Sequence, residues 1–135
     1  MSSANTHMLA ILNAVEGLGY TFTDEYFDFD TLPVSGDNNV YRVSAKTGPL
    51  GSMTGNRVEK TNGFEIHVAF KLQTSSDRKQ DFYNVLDAKE ALEDAIVLAS
   101  SAVQVRIIEN AMSGIKNDYI LLKLTGDVIY WSDLV

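Results

Sequence analysis

The strongest pattern in the chain runs from Phe64 to Gln73, where Phe64, Ile66, Val68, Phe70 and Leu72 alternate with Glu65, His67, Ala69, Lys71 and Gln73. Strict period two predicts a strand with one buried and one wet face, as in an antiparallel sheet covered on one side. Burying such a row contributes on the order of 8–15 kcal/mol gross, and a one-residue slip would expose all of it.

Helical spacing occurs twice. Met8, Ile11, Leu12, Val15 and Leu18 recur every three or four residues and predict a helix over about 4–18, stopped by Gly17 and Gly19. His7 falls near its frayed start. A second helix, capped by Ser75, Ser76 or Asp77, runs to about Ala99. Phe82, Val85, Ala88, Leu92, Ala95, Ile96 and Ala99 face inward, and Asn84, Asp87, Glu90 and Asp94 face water.

Further strands are expected at Val40–Lys46, Ala102–Glu109, Asp118–Thr125 and Val128–Trp131, with a short surface strand over Glu25–Phe29. Between Thr47 and Gly63 the glycines and Pro49 predict a long mobile loop. It is either a tolerated insertion or a segment that orders on a neighbouring subunit. In the second case Leu50 and Met53 supply apolar burial, while Arg57 and Lys60 meet acids such as Asp24 and Glu25. The element order predicts a single α+β domain over 1–135, with an antiparallel or mixed sheet and both helices packed on one face.

Charge and composition narrow the function. Residues 1–41 hold six acids and no Lys or Arg, whereas 42–135 hold 11 bases and 12 acids. Tight nucleic-acid binding normally shows the opposite, a basic patch that displaces phosphate counterions. The chain has no cysteine, which removes disulfides, thiol catalysis and cysteine-bound zinc and favours a reducing compartment. Neither a signal peptide nor a membrane span is expected, since the apolar run Met8–Val15 is short and follows no base.

Candidate chemistry is sparse. A Glu65–His67 pair on the wet strand face resembles an acid–base unit, but spacing brings no nucleophile or second base to it, and a solvated face is the expectation. The acids of Asp24–Asp30 lack the ligand spacing of a calcium loop, and the glycines of 48–63 lack a phosphate-loop ending. No catalytic residue, cofactor site or metal site is expected. A ligand-binding domain with its pocket between helices and sheet would need convergent polar groups on the inner face, where the positions are aliphatic or aromatic.

The element order, the helix Met8-Leu9-Ala10-Ile11-Leu12-Asn13-Ala14-Val15, the long loop before the alternating strand and the helix opening Asp77-Arg78-Lys79-Gln80-Asp81-Phe82 resemble the tail-terminator proteins of long-tailed bacteriophages. The likeness is one of pattern and spans about residues 5–131. It is shared in part with head–tail joining proteins. The resemblance implies a non-enzymatic virion subunit assembled in the host cytoplasm. Such a subunit forms a ring of six copies that caps the tail tube protein and meets the head–tail connector proteins. It implies no cofactor, no membrane and no specific nucleic acid.

Overall fold

The computed structural model describes residues 4–31, 39–46, 50–72, 78–99, 104–115 and 118–133. Helix α1 (Ala4–Gly17) is followed by β1 (Thr21–Phe22), β2 (Val40–Lys46), β3 (Leu50–Thr54) and β4 (Arg57–Lys71). Helix α2 (Arg78–Val97), β5 (Gln104–Met112) and β6 (Tyr119–Asp133) complete the chain. The strands form one mixed sheet in the order β1-β2-β4-β6-β5, with β3 added to β4 beyond the end of β2. Among the described residues only the short β1–β2 pairing is parallel. The fold is α+β, as the element order implies.

Both helices lie on one face. Ile11 and Val15 of α1 and Val85, Leu92 and Ile96 of α2 bury against Phe64, Ile66, Val68, Phe70, Ile120, Leu122 and Leu124 of the two central strands. The alternating row is therefore in the core as its period requires, and β4 and β6 pair over their full lengths, from Arg57↔Asp133 to Lys71↔Tyr119. Tyr41 on β2 is fully buried and donates its hydroxyl hydrogen to Glu16 Oε1 at 2.8 Å, which ties the end of α1 to the sheet. Gly19, at φ 99°, makes the sharp exit from α1 that an L-residue resists.

Several expectations change in the fold. The stretch read as a loop over 47–63 is largely a hairpin: β3 pairs with the first residues of β4 around a two-residue turn, Gly55-Asn56, with residues 47–49 outside those described. Gly55 has φ 59° at the first central position, where type II′ hairpin turns place glycine. Its neighbours weaken a strand without forbidding one, because β6 already pairs with the other edge of Arg57–Gly63. The result is a three-stranded arm built from β3, the start of β4 and the end of β6.

The segments 118–125 and 128–131 form one strand, since Gly126 is accommodated inside the ladder. Glu25–Phe29 is not a strand; it crosses the second face of the sheet as irregular chain with Phe27 fully buried. On α2 the inward row begins with Asp81, 4% exposed, and Phe82 is 44% exposed. From Val85, Asp81 is displaced by roughly 40° around the helix and Phe82 by roughly 60° the other way, so Asp81 lies nearer the core direction. Arg78, with Nη1 3.6 Å from Asp81 Oδ2, supplies the cation that makes this burial tolerable. His7, expected at a frayed end, is buried with its ring 5.0 Å from that of Tyr130, and Leu18 is exposed.

Candidate interaction surfaces

Odd-numbered positions of β4 and β6 project from the sheet face opposite the helices. The segment after β1 folds over part of that face because Thr23 N donates to Tyr41 O at 2.9 Å and Phe27 packs on Val40, Ala69, Tyr119 and Leu121. Arg42 fastens it: Nε donates to Phe27 O at 2.6 Å, and the guanidinium carbon lies 4.6 Å from the Tyr26 ring centre and 5.7 Å from that of Phe27. A turn is organised by Asp28, whose Oδ1 accepts from the amides of Asp30 (2.9 Å) and Thr31 (2.8 Å) and whose Oδ2 accepts from Tyr26 Oη (2.5 Å). The Tyr26 hydrogen bond, then the backbone donors, hold the Asp28 carboxyl below the usual carboxylate range.

Beside this segment the sheet leaves a hollow of about 500 Å³, lined by Tyr26, Asp28, Phe29, Asp30, Arg42, Ser44, Glu65, His67, Glu109, Ala111 and Lys123. His67 forms its floor. It is 6% exposed, edge-on to Phe27 at 6.5 Å, and its Nε2 is 3.4 Å from Glu65 Oε2. Glu65 Oε1 lies 3.8 Å from Lys123 Nζ. Burial first, and then the Arg42 charge, pull the His67 pKa below its ordinary value, while Glu65 partly offsets them. His67 is thus a neutral buried imidazole at pH 7, in place of the solvated side chain expected from the alternation. The covering segment, which period two in β4 does not reveal, makes the difference.

The residues expected at a subunit contact fall into two separate places. Leu50 and Met53 are on β3, and Arg57 and Lys60 are exposed on β4, all in the arm. Arg57 lies on the same face as Trp131, its guanidinium 5.9 Å from the indole centre, whereas Lys60 has the opposite strand parity. Asp24 and Glu25 follow the Thr23–Tyr41 hydrogen bond at the other end of the sheet. Since Tyr41 pairs with Val68, eight residues from Lys60 and eleven from Arg57, strand rise separates the groups by roughly 25–35 Å. They cannot meet within one subunit.

Sheet edges and helix ends add surfaces that the sequence reading did not assign. Among the described residues no strand pairs with the outer edge of β5, or with that of β2 beyond Tyr41. Beside β5 lie Leu98 (80% exposed), Val97 (41%) and Ile108 (58%), the last pushed outward where Ile107 pairs with Gly126 and Glu109 with Thr125. Beside β2, Met8, Leu12, Val43, Ala45 and Phe64 line a groove of about 340 Å³ between α1 and the sheet. Among the described residues no group of His, Asp and Glu has metal-site geometry, and no helix is long and apolar enough to cross a membrane.

No known family matches the chain, and no curated protein is significantly similar to it.

Proposed function

We propose that the protein is a structural virion subunit, the tail terminator of a long-tailed bacteriophage, which assembles into a ring of six copies on the head-proximal end of the tail tube. The observation that carries the self-assembly part is the pair of dissimilar sheet edges. Among the described residues, one has no strand partner beside Leu98, Val97 and Ile108, and the other has none beside the Met8–Leu12 groove. Two different patches on opposite edges of one subunit suit head-to-tail contacts, in which one edge meets the other and which close into rings when the rotation per subunit allows. Exposed edges and apolar side chains of this kind are normally covered in the working state of a protein. The phage assignment rests on the sequence-pattern resemblance.

Native mass measurement and negative-stain microscopy of the purified protein test the ring. Incubation with tail tubes tests the role: the ring should bind one tube end and stop further addition of tube protein. A protein that stays monomeric alone and on tubes is not a tail terminator. One that forms rings but binds only the head connector belongs with the head–tail joining proteins.

A further inference from the structure

Building on the ring reading, we propose that the hollow on the open sheet face is the socket for the hairpin arm of a neighbouring copy, entered by Arg57 and Trp131. Charge is the first argument. The hollow gathers four carboxylates, Asp28, Asp30, Glu65 and Glu109, against the two cations Arg42 and Lys123. Asp28 is committed to Tyr26 and two backbone amides, and Glu65 to His67 and Lys123, but Asp30 and Glu109 stay exposed at the rim, where a guanidinium can reach them.

The arm offers the matching group. Arg57 and Trp131 share the open face of the β4–β6 ladder, both exposed, with the cation held near the indole. Arg and Trp are the residue types in which interface binding energy concentrates. In the socket Tyr26, 61% exposed, and Phe29 present aromatic surface for the indole. The arm cannot fill its own socket, because Arg57 precedes His67 by ten residues of continuous strand, roughly 33 Å. Another copy's arm can, and the contact joins two different surfaces, so that repeating it in one rotational sense builds a ring.

The test is a charge exchange. Wild type, Arg57→Glu, Glu109→Arg and the double variant are compared by native mass measurement and by ring counts on grids, with Glu90→Arg on the outer side of α2 as a control. All the substituted residues are exposed, so each variant should melt like the parent. Each single reversal at 57 or 109 should weaken assembly roughly tenfold or more, because like charges then face each other across the contact. The double variant should recover rings, and the control should behave as wild type. Normal rings from both single variants, or no recovery in the double variant, overturn the socket while leaving the ring reading intact. Rings that persist in the single variants while tube binding is lost would assign the hollow to the tube protein and also overturn it. A wild type that never assembles removes the ring reading itself.

Discussion

Phe64 faces Gly126 across the β4–β6 ladder, and its ring occupies the place that a β-carbon on residue 126 would take: such an atom would lie 2.6 Å from Phe64 Cζ and 2.6 Å from the carbonyl oxygen of Arg106. The aromatic ring covers the bare backbone that glycine leaves in the middle of a long strand, while the absent side chain gives Phe64 its room.

Gly126→Ala should therefore destabilise the protein by about 1–3 kcal/mol, the usual cost of overpacking a filled site. Combining it with Phe64→Leu should relieve the ring clash but leave the carbonyl clash, so the double variant falls short of full additivity. Urea unfolding midpoints of the two single variants and the double variant decide this. Equal stability of Gly126→Ala and the parent would mean that the two strands are further apart than described.

Acid sensitivity should begin above the carboxylate range. The folded state holds the His67 pKa below its ordinary value of about 6.5. The unfolded chain therefore binds more protons between the two values, and stability rises with pH across that window. The His67 contribution is present above about pH 6.5 and is lost as pH falls toward the depressed value. The charged groups that face the ring are Arg42, Glu65 and Lys123. His67→Gln should flatten the difference in unfolding midpoint between those two pH values, and an unchanged difference would place the sensitivity elsewhere.

Arg42→Lys should loosen the chain between Thr23 and Thr31, although the charge is kept. Lysine lacks the planar face that lies against Tyr26 and Phe27 and cannot reproduce the fixed Nε bond to Phe27 O. A loss of about 1–2 kcal/mol is expected for a charge-assisted bond and its stacking. Amide exchange should speed up at Thr23, whose N–H bonds Tyr41 O, and at Thr31, whose N–H bonds Asp28 Oδ1. Unchanged exchange at both amides would show that Phe27 burial alone holds the segment.

Leu98→Asp together with Ile108→Lys should leave a folded subunit and abolish ring formation by placing charges on the β5 edge, the device by which natural edge strands avoid pairing. Thermal melting and native mass measurement check the two halves of that statement. Rings that survive would exclude this edge from the contact.

Much of the fold follows from local pattern. The alternation of Phe64–Leu72 required a strand with its even-numbered row in the core, and the three- and four-residue spacing of Ile11 and Val15, or of Val85, Leu92 and Ile96, required helices with one buried stripe. All of these residues meet in one core because each carries its own periodicity. Period-based reading failed where a residue's surroundings come from distant chain. Gly126 sits inside a strand because Phe64 fills the gap, and the glycine-rich stretch around Gly55 pairs because β6 supplies a second neighbour for β4. Asp81 turns inward opposite Arg78, and Phe82 outward, because the face of α2 is chosen by packing against the sheet.

The interaction surfaces were the least legible. Arg57, Lys60, Asp24 and Glu25 could be singled out as charged residues, but nothing in their order along the chain says that β4 holds the two groups at opposite ends of a rigid strand. Likewise His67 reads as a solvated residue between Glu65 and Ala69. Only the tertiary structure, by laying Phe27 across the second sheet face and fastening it with Arg42, makes it the floor of a hollow, because burial depends on what covers a strand and a strand's own sequence records only which way its side chains point.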